Sequence, residues 1–246
     1  MLDIPAIYIA LVSFFAAALQ AITGFGFALI AMPIFILFVD ARTAVTVNII
    51  VSFSTLFLLT IRVRRHILKP VVRNLLMGSL IGLPFGLYAF VHFEGYLLKL
   101  IISITTIIFS IILVTGATVR KLSGSRAEKV IGSISGFLAS SISLPGPPVI
   151  LFLNHQGLNK DHFRATTAAY FTLIYPISFS LMAAFNAIET AVIVKALSLV
   201  PIAFLGQVFG SLLYPHTSSG LFHRLVPALV MLSAMYTLYT TLPPLV

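Results

Sequence analysis

The stretch Ile22–Pro33, ITGFGFALIAMP, interrupts the first apolar segment of the chain and decides how that segment can fold. The segment extends over residues 4–39 without a charged residue or a histidine. It is far longer than the roughly 20 residues that one membrane crossing needs. Gly24 and Gly26 weaken a continuous helix through backbone entropy, and Pro33 lacks an N–H donor. We therefore predict two helical pieces joined by a break.

Seven further apolar segments predict an all-α polytopic integral membrane protein. Their ranges are 43–61, 74–91, 100–119, 130–154, 165–188, 196–215 and 225–246. Most of them match the roughly 20 helical residues that cross a bilayer core of about 30 Å. Segment 130–154 contains a second break, SISLPGPP at Ser141–Pro148. We expect about 8–10 transmembrane helical segments in total. The first segment lacks a basic n-region and is too long for a signal sequence, so no cleaved signal peptide is expected.

The composition is typical of a protein whose solvent is lipid. Hydrophobic residues make up 59% of the chain and charged residues 9%, with a mean hydropathy of +1.11. Soluble domains carry about a quarter charged residues. The 15 Lys and Arg against 6 Asp and Glu lie mainly between apolar segments, where they set topology and do not indicate nucleic acid. The absence of cysteine excludes disulfides, thiolate metal sites and cysteine nucleophiles.

The chain repeats its pattern, because each half begins with a broken segment and continues with three plain ones. Shifts of 122 and 124 residues superpose Gly24 on Gly146, Arg42 on Arg164, Gly82 on Gly206 and Gly86 on Gly210. We predict two repeats, residues 1–120 and 121–246, within one membrane domain. The last two glycine pairs have small-xxx-small spacing, which predicts close helix packing within a protomer or between two, so a homodimer stays open.

Basic residues in the short connections predict the orientation. The groups at residues 62–73 and 120–129 are two crossings apart, so both are expected in the cytoplasm. If segment 130–154 returns to its own side, 12 basic residues lie inside and 3 outside; if it crosses once, the division is 10 to 5. We predict that segment 130–154 returns to its own side. This return makes the repeats inverted, with two broken hairpins entering from opposite faces and both termini outside.

The early Gly-rich break, the second break in SLPGPP and the two-half architecture resemble the TauE/SafE family of sulfite and organosulfonate exporters. The resemblance covers nearly the whole chain. It implies a carrier of the bacterial inner membrane for small sulfur-containing or carboxylate anions. Only the two breaks are carried over from the family, onto Thr23–Phe27 and Ser143–Pro148.

The breaks are candidate binding sites on physical grounds as well. A helix that begins inside the membrane points unsatisfied N–H groups and the positive end of its dipole at a ligand, which suits an anion. The alternative is that the glycines allow close packing and PGPP makes a turn. The candidate substrate-binding residues are Gln20, Thr23, Gly24, Gly26, Arg42, Asn48, Ser140, Ser141, Ser143, Gly146, Arg164 and Tyr170.

Arg42 and Arg164 have two interpretations that the sequence leaves open. The planar guanidinium suits a three-oxygen anion, and an arginine beside an apolar helix can equally be a snorkelling anchor. Asn48 and Tyr170 each follow one of these arginines by six residues and could reach the same cavity. For Tyr170 a core role is as well supported.

The distribution of charge predicts the mechanism. All six acidic residues flank apolar segments, whereas many cation-coupled carriers use a carboxylate inside the membrane. We predict export of a small sulfur-containing anion by alternating access, driven by the membrane potential. An anion channel and a carrier for a small carboxylate remain alternatives.

The segments contain no HExxH motif, paired aspartates or Ser–His constellation, so we expect no enzyme, metal or cofactor. The expected partners are the anion and the lipid bilayer, without nucleic acid.

Overall fold

The computed structural model describes residues 4–115, 123–216 and 235, and the helices within them follow the predicted segments. The α-helices are α1 (Ile4–Thr23), α2 (Phe27–Phe38), α3 (Ala41–Val63), α4 (Lys69–His92), α5 (Gly95–Thr115), α6 (Ser125–Ile142), α7 (Gly146–His155), α8 (Lys160–Ala184) and α9 (Thr190–Leu213). Short 3-10 turns at Arg64–His66 and Tyr214–His216 follow α3 and α9. The predicted segment 225–246 lies outside the described residues, apart from residue 235.

Within the described ranges, six helices are long and apolar enough to cross a membrane: α1, α3, α4, α5, α8 and α9. Helices α2 and α7 have only 12 and 10 residues. At 1.5 Å per residue they are about 18 and about 15 Å long, well short of a bilayer core of about 30 Å. The prediction of an all-α polytopic membrane protein is confirmed.

Both breaks lie within the predicted stretches, at residues 24–26 and 143–145. Gly24 and Gly26 adopt φ angles of 82° and 106°, which side-chain-bearing residues rarely adopt. Ser143 has a φ of 55° and donates its N–H to the carbonyl of Ala139, which ends α6. Pro145 follows and has no N–H with which to continue that helix. Local backbone chemistry therefore accounts for both interruptions.

Helices α6 and α7 form a hairpin whose two ends lie at one end of the bundle, beside the turn Arg64–His66. Near the start of α6, Glu128 accepts a 2.6 Å hydrogen bond from Asn74 of α4. Shortly after α7 ends, His162 Nδ1 of α8 lies 2.7 Å from the backbone oxygen of His66. We call this end, formed by Arg64–His66 and the starts of α4, α6 and α8, the basic face. The two ends of the segment thus lie at the same end of the bundle, while its return to its own side of the membrane and the inverted relation of the two halves stay predictions.

Helices α1 and α2 form the other hairpin, which is anchored at the opposite end of the bundle. The ring of Tyr8, near the start of α1, stacks on Phe38 at the end of α2, with centroids 5.7 Å apart. Phe38 directly precedes the start of α3, where Asp40 accepts the N–H of Thr43 as the N-cap. The break at residues 24–26 therefore lies away from this end and toward the basic face.

Two parallel helix pairs, α4 with α6 and α1 with α9, hold the hairpins in place. The facing pairs are Gly78 with Lys129, Gly82 with Ser133, Gly206 with Phe14, and Gly210 with Ala18. A Cβ on any of these glycines would overlap the facing backbone carbonyl, so the backbones approach closely because no side chain is present. The small-residue pairs that the sequence singled out therefore pack within the chain.

Candidate functional site

A small pocket lies between the two hairpins and near the middle of α8. Its walls come from the first break with the start of α2, from the second break with the start of α7, and from Phe171 and Tyr175 of α8. In this conformation the space accommodates about one water-sized molecule. None of the described residues that line it is charged. The pocket thus joins the two predicted breaks in one site.

The first turn of α2 supplies backbone donors to this pocket. Gly26 is the N-cap and provides no side-chain cap. The N–H groups of Phe27, Ala28 and Leu29 belong to the first turn, whose donors have no acceptor within the helix. All three residues are buried, and Ala28 and Leu29 line the pocket. The positive end of the α2 dipole is therefore directed at a nearly dry cavity, which suits an anion.

The start of α7 is a weaker donor than the start of α2. It also lacks a side-chain cap, and Gly146 lines the pocket. Pro147 and Pro148 follow directly, however, and neither residue has an N–H group. The two helix ends that the repeat relates are thus chemically unequal, and α2 carries most of the backbone donor capacity.

Gln20 is a buried side chain that presents a free donor. It lines the pocket with 3% of its surface exposed. Its Oε1 accepts a 2.6 Å hydrogen bond from the hydroxyl of Thr55 in α3. This bond orients the amide, and among the described residues Nε2 has no acceptor. An anion in the pocket would supply one.

Tyr175 is the second polar group at the pocket. It lines the cavity and is 3% exposed. Its hydroxyl lies beside the polar groups of Ser52, Asn48 and Ser143. Among the described residues, Ser52 Oγ and Asn48 Oδ1 are buried and have no hydrogen-bond partner with good geometry. Unsatisfied buried polar atoms are uncommon in folded proteins, and two of them lie together beside this hydroxyl.

Several of the predicted site residues do not line the pocket and make hydrogen bonds at or near the breaks. The Thr23 hydroxyl donates to the Leu19 carbonyl at 3.0 Å and accepts the N–H of Phe25 at 3.2 Å. Asn48 Nδ2 donates to both oxygens of Ser143, at 3.0 and 2.6 Å. The remaining two serines donate to backbone carbonyls, Ser140 to Leu83 and Ser141 to Phe137, each at 2.7 Å.

Tyr170 lies in a polar cluster that is separate from the pocket. Its hydroxyl is 2.7 Å from Ser79 Oγ and 2.8 Å from Ser135 Oγ. Ser135 in turn donates to the carbonyl of Pro145 at 2.6 Å. This satisfied network connects α4, α6 and α8 to the second break, which is a positioning role.

Both arginines of the predicted set bind helix C-termini. Arg42 donates to the carbonyls of Val91 and Phe93 at the end of α4, at 2.9 and 3.2 Å. Arg164 Nε donates at 2.8 Å to the carbonyl of Ala21 in the last turn of α1. A cation stabilises the negative end of a helix dipole. These contacts match the interpretation of both arginines as anchors at helix ends. Both guanidinium groups already donate hydrogen bonds within the protein.

Tyr214 covers Arg164 at the basic face. The guanidinium carbon lies 3.8 Å from the centre of the Tyr214 ring. The Tyr214 hydroxyl donates to Asp161 at 2.6 Å. Burial, followed by this hydrogen bond, raises the pKa of Tyr214 to about 12, so the phenol stays protonated and keeps this contact over the physiological range.

Of the sequence-predicted residues, Gln20, Gly26 and Gly146 line the pocket, while Gly24 forms the first break next to it. Ser52, Thr55 and Tyr175 were missed. A signal for the first two was present, because Asn48, Ser52 and Thr55 follow one another at helical spacing in the middle of a largely apolar helix. Such a polar stripe in a membrane helix must face the protein interior.

An aromatic pair separates the pocket from the basic face. Phe25 lines the pocket, and its ring meets that of Phe163 edge to face, with centroids 5.9 Å apart. Phe163 lies in the first turn of α8, next to His162 of the basic face.

Comparison with known proteins identifies a family. A model of the family described as sulfite exporter TauE/SafE matches residues 9–239. No curated protein and no solved structure matches the chain. The matched region contains both breaks, the pocket and the helices that surround it.

Proposed function

The chain belongs to the sulfite exporter TauE/SafE family, a family of membrane transporters, and from this premise we propose that it exports a small sulfur-containing anion such as sulfite, sulfoacetate or another organosulfonate. The bacterial inner membrane is the proposed location. One observation carries the assignment of the site: the uncapped start of α2 and the free amide of Gln20 converge on an uncharged, buried pocket between the breaks.

The pocket provides several donors for an anion with three oxygens. Backbone N–H groups of α2, Gln20 Nε2 and the Tyr175 hydroxyl approach from different walls. A helix N-terminus contributes about 0.3 to about 2 kcal/mol toward an anion. A hydrogen bond to a charged group contributes about 1.5 to about 3 kcal/mol. Together these groups account for binding without a buried cation.

Gln20→Leu is expected to weaken anion binding at least about tenfold, because the substitution removes a charge-assisted hydrogen bond. The measurement is the rise in melting temperature of the purified, detergent-solubilised protein with sulfite, sulfoacetate, sulfate, acetate and chloride. Gln207→Leu is the matched control. Gln207 is also buried and unpaired among the described residues, but it lies on α9 and does not line the pocket. If the Gln20→Leu variant binds the anions with wild-type affinity, the pocket is not the binding site.

We further propose alternating access. In this conformation the pocket is too small for a sulfonate, and Phe25 with Phe163 closes it toward the basic face. Transport then requires the hairpins to move against α3 and α8, with the site exposed to one side at a time. Saturable flux at low turnover would support this carrier. Single-channel conductance steps would support the alternative of an anion channel.

The membrane potential is the proposed driving force. In proteoliposomes with an imposed potassium diffusion potential, anion flux should rise toward the positive side. One charge gains about 2.3 kcal/mol per 100 mV, which corresponds to an accumulation ratio of about fifty. The acidic residues of the described chain lie at helix ends, so no carboxylate inside a span is available to couple a cation. Anion flux that does not change with the imposed potential would refute this driving force. Vesicles that contain the Gln20→Leu variant are the control for flux that does not depend on the pocket.

A further inference from the structure

The charge of the pocket restricts the charge of its ligand. No charged side chain is found among the described residues that line it. The arginine nearest to the first break, Arg164, donates to Ala21 and lies under Tyr214. Desolvation of an ion costs free energy in proportion to the square of its charge, so a dianion loses about four times as much hydration as a monoanion. Neutral donors compensate one negative charge far better than two.

Two buried acceptors behind Tyr175 also favour a ligand with a single negative charge. Asn48 Oδ1 and Ser52 Oγ have no hydrogen-bond partner among the described residues, and both side chains are fully buried. They lie beside the Tyr175 hydroxyl, which borders the pocket. The Tyr175 hydroxyl carries one proton, and these two acceptors compete with the ligand for it. This wall of the pocket therefore offers an anion at most one hydrogen bond, which compensates one negative charge better than two.

We propose that the pocket selects singly charged anions, namely the protonated form of sulfite and organosulfonates without a second acidic group, and discriminates against sulfite, sulfate and sulfoacetate as dianions. This inference rests on the proposed function of the same site. Sulfite takes up one proton near neutral pH, so the protein would bind the form that predominates on the acidic side of that equilibrium. An organosulfonate without a second acidic group, such as methanesulfonate, carries one charge at any physiological pH and satisfies the same condition, whereas sulfoacetate carries a second charge on its carboxylate and does not.

The test compares three anions on the purified full chain from about pH 5.5 to about pH 8.5. Methanesulfonate stays a monoanion over this range, sulfate stays a dianion, and sulfite changes from one to the other. The affinity for total sulfite should fall about tenfold per pH unit above its own pKa, while the affinity for methanesulfonate stays constant. Sulfate should bind at least about tenfold more weakly than methanesulfonate at every pH.

The methanesulfonate series also controls for titration of the protein. Among the described residues that line the pocket, Tyr175 is the one that can titrate, and a phenol stays protonated at neutral pH. His66 and His162 lie at the basic face, beyond Phe163, and any effect of theirs would appear with methanesulfonate too.

The possible outcomes separate the two proposals. Sulfite affinity that is constant or rises with pH, or sulfate binding equal to that of methanesulfonate, would overturn the charge selection and leave the exporter proposal in place. Failure of all three anions to bind at any pH would overturn the proposed function together with this inference. Parallel loss of sulfite and methanesulfonate at high pH would assign the pH dependence to the protein and would also overturn the charge selection.

Discussion

Tyr175→Phe is expected to weaken anion binding by about tenfold to about a hundredfold without unfolding the protein. The ring stays in place, and the hydroxyl that is lost lies at the wall of the pocket beside Ser52, Asn48 and Ser143. A hydrogen bond to a charged ligand contributes about 1.5 to about 3 kcal/mol, from which the expected factor follows. The measurement is the sulfite and methanesulfonate affinity from ligand-induced thermal stabilisation, with the melting temperature of the unliganded protein as the reference.

Tyr170→Phe is the matched control, and it is expected to lower the stability of the protein without changing its anion affinity. Tyr170 makes hydrogen bonds with Ser79 and Ser135, and it does not line the pocket. Its loss leaves buried hydroxyls with fewer partners, which lowers stability by about 1 to about 3 kcal/mol, while anion affinity stays close to that of the wild type. If both variants bind anions as the wild type does, the pocket is not the binding site.

Gly82→Ala is expected to separate α4 from α6 and to destabilise the protein by about 3 kcal/mol or more. A Cβ at this position would overlap the backbone oxygen of Ser133, which cannot move without displacing its helix. Overpacking of a rigid contact typically costs about 1 to about 3 kcal/mol, and a clash with backbone lies at the upper end or beyond. Melting temperature and the monodisperse yield after size exclusion report the effect.

Gly95→Ala is the control for this substitution. Gly95 begins α5, and a Cβ there would meet no atom within 4 Å. The same methyl group added at this position should leave melting temperature and yield unchanged. Equal behaviour of Gly82→Ala and Gly95→Ala would show that the close approach of α4 and α6 is not required for folding.

The candidate site was only partly predictable from the sequence. Gln20, Gly26 and Gly146 were predicted and line the pocket. Arg42 and Arg164 were equally good candidates by chemistry, but both guanidinium groups bind backbone carbonyls at helix ends. A side chain's chemistry shows what it can bind, whereas its neighbours determine whether its donors are free. For most polar residues of the predicted set, those neighbours lie on another helix or on the preceding helical turn.

The sequence by itself determined the membrane character of the chain and the positions of both breaks. Those properties are local: the length of an apolar segment decides whether a helix can span lipid, and Gly24, Gly26 and Pro145 act on their own backbone. Only the tertiary structure decided which polar groups remain unpaired at the pocket. Pairing depends on contacts between distant segments, such as Gln20 with Thr55 and Asn48 with Ser143, and local sequence does not specify which helices meet.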